Sequence, residues 1–136
     1  MGFASRVVNL VSVLFINIAA RYHAYRYCFY LYGTYKGSKI YTTKNKSVQR
    51  CLFDKVDCIA YSTGEYIFVR SPRYVNKQIV LHEFAHVEQW RRYGCFFAIW
   101  NYTLEMSERG YYRNKFEVQA RRAEKGFFDK NLLKKY

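Results

Sequence analysis

One proline and seven glycines among 136 residues leave this chain almost no punctuation. No Pro/Gly/Ser-rich linker divides it, and no internal repeat or low-complexity tract appears, so the length reads as one domain around one core, residues 1–136. The four cysteines (Cys28, Cys51, Cys58 and Cys95) contain no C-x-x-C pair, which argues against a zinc ribbon. Cys51 and Cys58 would pair only in an exported protein; in a reducing compartment all four read as small core residues. Acidic residues are scarce, 10 against 23 lysines and arginines, giving a net charge of +13. A surplus of that size attracts phosphate or anionic lipid without specificity, and no nucleic-acid-binding motif accompanies it. Histidine is rarer still, with only three in the chain.

Two of those three stand in His82-Glu83-Phe84-Ala85-His86, an H-E-x-x-H pattern. Residues four apart on a helix share a face, so both imidazoles reach one metal ion, and Glu83 lies about 100° round from His82. The pattern supplies two ligands and a general base for metal-assisted hydrolysis. Its flanks agree with a helix. His82, His86 and Gln89 fall on one side with Ile79 and Trp90 beside them, while Glu88, Arg91 and Arg92 fall opposite. Val80, Phe84 and Val87 form a separate apolar stripe, and Gly94 ends the helix behind Arg91 and Arg92.

Tetrahedral catalytic zinc takes three protein ligands. Gln89 and Arg92 stand where the metzincin continuation H-E-x-x-H-x-x-G-x-x-H requires glycine and histidine, and no histidine follows His86. The third ligand is then a carboxylate, or His23 brought back from the N-terminal region. Downstream lie Glu88, Glu105, Glu108, Glu117, Glu124 and Asp129. Glu88 points away from the site face. Glu105 and Glu108 belong to a stretch from Cys95 that runs back along the metal helix. Glu117 begins a further helix beyond Gly110, where Ala120 and Ala123 permit close packing. It is the preferred ligand, with Glu105, Glu108 and His23 as alternatives.

An H-E-x-x-H helix, a connecting helix, then Asn114-Lys115-Phe116-Glu117-Val118-Gln119-Ala120 (N-x-F-E-x-x-A) resembles the gluzincin-type zinc metallopeptidases, particularly the minigluzincins. The resemblance covers residues 66–125. It implies a zinc cofactor on His82, His86 and Glu117, Glu83 as general base, and a peptide or protein substrate. Tyr112 or Arg113 is the foremost candidate for stabilising the oxyanion, with Tyr111 and His23 also in view. The alternative function, from a different class, is a basic nucleic-acid-binding protein whose zincin site is structural or degenerate.

The expected fold is α+β and zincin-like: a small antiparallel sheet on the metal helix, two further C-terminal helices and an N-terminal helix over residues 1–35. Lys39–Thr42 reads as a short strand, and Cys58–Ser62 with Tyr66–Arg70 as a hairpin about Thr63-Gly64. Tyr66–Arg70 is expected to be an edge strand able to pair a substrate backbone. Val7–Ala20 is apolar apart from Asn9, Ser12 and Asn17. A stretch that short suits a buried helix in a cytoplasmic protein, with a signal or membrane anchor as the alternative. The aromatic run Arg21–Tyr30 is expected to continue this helix, its rings packing the core.

Overall fold

The computed structural model describes residues 2–128 and 133–135. Asp129, a ligand candidate, lies outside them. The order is α1 (Phe3–Arg26), β1 (Tyr30–Tyr35), β2 (Ser38–Thr42), α2 (Lys46–Leu52), β3 (Ala60–Thr63), β4 (Tyr66–Val69), α3 (Lys77–Arg113), α4 (Lys115–Ala123) and β5 (Leu133–Lys135). Single 3-10 turns at Asp54–Val56 and Pro72–Tyr74 punctuate the path.

The class is α+β, but the sheet is mixed rather than antiparallel. Its order is β3-β4-β2-β1-β5, and β2 pairs β4 in parallel, Lys39 opposite Tyr66 and Thr42 opposite Val69. A parallel neighbour needs a crossover; α2 and the turn after it supply one, and neither was expected. Asn45 starts α2 by accepting hydrogen bonds from the Ser47 and Val48 amides. The hairpin expected around Thr63-Gly64 is present as β3 and β4.

All four residues of β4 are buried. Ile67 and Val69 pack towards α3 with Val80, Phe84 and Val87, the stripe read from the sequence, and with Leu81, while Tyr66 and Phe68 face the opposite way onto Ala20 and Ala24 of α1. Alternation along one strand thus joins two cores, one on each face of the sheet. β4 is therefore an interior strand and not the edge expected from Tyr66–Arg70; among the described strands the edges are β3 and β5.

α3 starts at Asn76, whose side chain accepts from the Ile79 amide at 3.0 Å, and it is broken at Gly94 (φ 71°) and Gly110 (φ 70°). The expected helix end at Gly94 and the separation at Gly110 are both present. A Cβ at Gly94 would sit 2.8 Å from Asn9 Oδ1 and Ser12 Oγ, so the turn is also where α1 docks.

The N-terminal helix does not reach residue 35. It ends at Arg26, Cys28 turns the chain at φ 55°, and the aromatic residues that follow enter β1 instead. Rings suit a pleated surface with neighbours on both sides, and β2 and β5 supply them. Burial of α1 is limited to one face: Ser12, Val13, Ala20 and Ala24 are buried, and only 17% of its most apolar window lies inside the fold. Among the described residues it is one helix long and apolar enough to cross a membrane. All four cysteines are free thiols, so Cys51 and Cys58 are unbridged.

Candidate metal centre and cleft

Three pieces of backbone converge on the site. The first part of α3 carries His82, Glu83 and His86 on adjacent turns. The break at Gly94 sends residues 95–109 back across it, and α4 brings Glu117 over the two imidazoles. Local capping holds α4 in register: the Asn114 side chain accepts from the Phe116 amide at 3.0 Å and donates to the Tyr102 carbonyl at 3.3 Å. Glu105 accepts from the Lys115 amide at 3.2 Å. Glu105 is thus a buried cap for α4 rather than a ligand, and Glu108 is exposed. His23 is bound to the Tyr61 hydroxyl at 2.6 Å among aromatic rings, away from the cluster.

What remains is His82, His86 and Glu117, whose ligand atoms all lie within 4.8 Å of one another and form a group able to hold a metal ion. His82 Nε2 is 3.4 Å from one Glu117 oxygen, and His86 Nε2 is 3.4 Å from the other. Two ligands on a tetrahedral ion at bond lengths of about 2.1 Å stand about 3.4 Å apart, so these separations fit a shared cation.

The far sides of both rings decide which nitrogen is available. Gln89 Nε2 donates to the Phe116 carbonyl at 3.1 Å and to Gln119 Oε1 at 2.9 Å, which fixes the amide so that its Oε1 accepts from His86 Nδ1 at 2.8 Å. His86 therefore keeps a proton on Nδ1, and Nε2 is the nitrogen that faces the site. Glu124 does the same for His82, accepting from Nδ1 at 2.6 Å. Metal-ligating histidines are oriented in this way, by acceptors on the nitrogen that does not bind. Glu117 Oε2, buried, has no close hydrogen bond and meets only His82 Nε2 at 3.4 Å. A buried carboxylate oxygen so loosely partnered is costly unless it meets a cation, and the nitrogen–nitrogen–oxygen donor set is one that zinc accepts.

The electrostatics follow from burial and this clustering. Burial works against charge on His82, but Glu117, Glu83 and Glu124 outweigh it and hold its pKa up to about 9; His86 is raised in the same way by Glu117 and Glu83. Burial alone would raise Glu117, yet the hydrogen bonds to His82 and His86 hold it far below the usual carboxylate range. Glu83 is buried, and desolvation raises its pKa, with only partial relief from the imidazoles. A buried carboxylate shifted towards neutrality is a stronger base when ionised.

A cleft of about 390 Å³ opens over these residues, with β3 (Ala60, Tyr61, Ser62) along one wall and Tyr102 and Tyr111 along the other. Tyr102 donates to Glu117 Oε1 at 2.8 Å. Tyr111 is pushed up to about 12 by burial and the Glu117 charge, so it stays protonated and able to donate. Tyr112 and Arg113, the foremost candidates for the oxyanion role, do not line the cleft; Tyr112 is 81% exposed and its carbonyl receives Arg121.

Sequence reasoning missed the roles of Gln89, Glu124 and Tyr102. Two signals were present: Gln89 follows His86 by three residues, and Glu124 follows Glu117 by two helical turns, so each shares a face with a member of the cluster. Nothing local marked Tyr102, whose position depends on the angle of the Gly94 turn.

No family model, no curated protein and no solved structure matches this chain.

Proposed function

We propose that this chain is a zinc-dependent peptidase of the gluzincin type, with His82, His86 and Glu117 as ligands and Glu83 as general base. One observation carries the reading. Both histidines have their Nδ1 atoms engaged by dedicated acceptors, leaving two Nε2 atoms and the Glu117 carboxylate facing one point beneath an open cleft. Zinc at such a site lowers the pKa of water to about 7 and polarises a carbonyl oxygen.

The protein's own groups then have distinct tasks. Glu83 accepts a proton from the attacking water and delivers it to the leaving amine nitrogen. β3, whose outer edge is free of a described strand, offers backbone donors and acceptors to an extended peptide lying in the cleft. Tyr111 supplies a hydroxyl on the side where the tetrahedral oxyanion develops, in place of the Tyr112 or Arg113 first considered. Tyr102 holds Glu117 and so fixes the third ligand's orientation.

The test is cleavage of an unbiased peptide mixture, read by mass spectrometry, by zinc-loaded wild type and Glu83→Gln. Wild type cleaves, whereas the variant keeps its metal and loses turnover. An equally active Glu83→Gln protein excludes the mechanism.

A further inference from the structure

We propose that the outer face of α1, together with the apolar side of residues 96–104, seats this chain on an anionic lipid bilayer with α1 lying in the plane of the surface. This docking stands apart from the peptidase reading, which enters only where the cleft is concerned.

The polar interruptions in the apolar run explain the arrangement. Asn17 Oδ1 accepts from the Glu65 amide at 2.8 Å, Asn9 Nδ2 donates to the Arg92 carbonyl at 3.3 Å, and Ser12 Oγ accepts from the Cys95 amide at 3.0 Å. These three polar residues within the apolar run therefore face the protein, while Leu10, Leu14, Phe15 and Ile18 face out. An amphipathic helix on a water-soluble domain has the opposite polarity. Leu10, Phe15 and Ile18 are 62%, 70% and 67% exposed. Phe96, 76% exposed, shares a groove with Val7, Val11 and Phe15, and a second groove links Phe96 to Ile99 and Trp100. The result is one continuous apolar surface from two helices, far beyond scattered exposed side chains.

Charge selects the occupant. α1 contains no acidic residue, and exposed Arg6, Arg21 and Arg26 bracket the uncharged stretch 7–20. Tyr22, Tyr25 and Trp100, amphipathic rings suited to the headgroup level, are exposed at its borders. Anionic headgroups complement that rim, whereas a second copy of a chain with net charge +13 would set arginine against arginine. Length alone would let α1 span, at about 36 Å. However, its bonds to Arg92, Cys95 and Glu65 are spread along the helix, so spanning would draw charged protein to bilayer depth or break them all. An in-plane helix keeps them and buries the outer face.

Ile99 and Thr103 line both the second groove and the cleft. On a seated chain the cleft opens beside the lipid surface, so under the peptidase reading its substrates are segments emerging from a membrane.

The experiment is co-sedimentation of the full chain with vesicles of phosphatidylcholine alone and of phosphatidylcholine with 30% phosphatidylserine. Wild type, Glu83→Gln and a Leu14→Glu/Ile18→Glu double variant are compared. Wild type and Glu83→Gln should bind the anionic vesicles alike, at least tenfold more tightly than the neutral ones. The double variant should lose at least tenfold while keeping its circular dichroism and melting temperature, since both sites face outwards. Because Glu83→Gln tests docking without turnover, failure of the peptidase reading leaves this result intact. Four results overturn the proposal: wild type that stays in the supernatant, equal binding by the double variant, vesicle-bound protein that resists alkaline carbonate as a spanning helix does, or a stable dimer that the double variant dissociates.

Discussion

Gln89→Leu tests whether the second interactions of the histidines organise the site or merely fill space. Leucine has similar bulk, so the change removes hydrogen bonds rather than volume. Three are lost, at 2.8, 2.9 and 3.1 Å. Gln119 is exposed and turns to water, and the Phe116 carbonyl keeps its bond within α4, but the His86 Nδ1 proton remains in the interior without a partner. The unmet donor costs about 1–3 kcal/mol and the lost second bond to Phe116 about 1 kcal/mol, so the metal-free variant should be less stable by about 2–4 kcal/mol. For a chain of this size that is a fall in melting temperature of about 8–15 °C. Loss of the acceptor also frees the ring to rotate or change tautomer, and zinc affinity should fall about 10–100-fold. Competition against a chromophoric chelator measures it. Gln89→Glu separates the two effects: the carboxylate still accepts from His86, restoring much of the zinc affinity, yet it cannot donate to Phe116 or Gln119 and restores only part of the stability. Unchanged zinc affinity in Gln89→Leu, with stability lowered as expected, would refute the tautomer argument.

Other expectations follow from the same geometry. Tyr111→Phe should retain zinc and lower kcat about a hundredfold, because its hydroxyl lines the cleft and is not a ligand; steady-state kinetics on any cleaved peptide will show it. In the metal-free protein, His82 is held above its ordinary 6.5 up to about 9, so its contribution is complete below pH 6.5 and fades as pH rises through about 9. Glu117, held below its ordinary 4.5, contributes above that value and loses its contribution in acid. Melting temperature without metal should therefore be highest between pH 4.5 and 6.5 and decline towards pH 9, while zinc affinity rises over that decline as the Nε2 protons leave.

The parts of this site that were readable from sequence are those set by local spacing. His82, His86 and Gln89 share a face because of helical period alone, and Gly94 breaks α3 because its φ of 71° costs other residues strain. Glu117 was identified by ligand type and by a return crossing, and the structure brings it to the two histidines. Three features depended on long-range geometry. β4 became interior because α2, unrecognised in the sequence, carried the chain round so that β2 and β4 pair in parallel. Residues 30–35 alternate too weakly in polarity to reveal a strand, and its neighbours β2 and β5 decide it. Tyr111 rather than Tyr112 faces the cleft because neighbouring helical residues point about 100° apart, and the φ of 70° at Gly110 sets which one turns inward. α1 buries one face only, with 17% of its most apolar window inside the fold, because a hydropathy run does not say which face the protein takes.

Metal content is the most direct test of the central claim. Elemental mass spectrometry of purified wild type and Glu117→Ala, after equilibration with zinc and removal of free ion, should give about one zinc per chain in the first and much less in the second. Retention of a full equivalent by Glu117→Ala, or none in wild type, would contradict the site assembled by His82, His86 and Glu117.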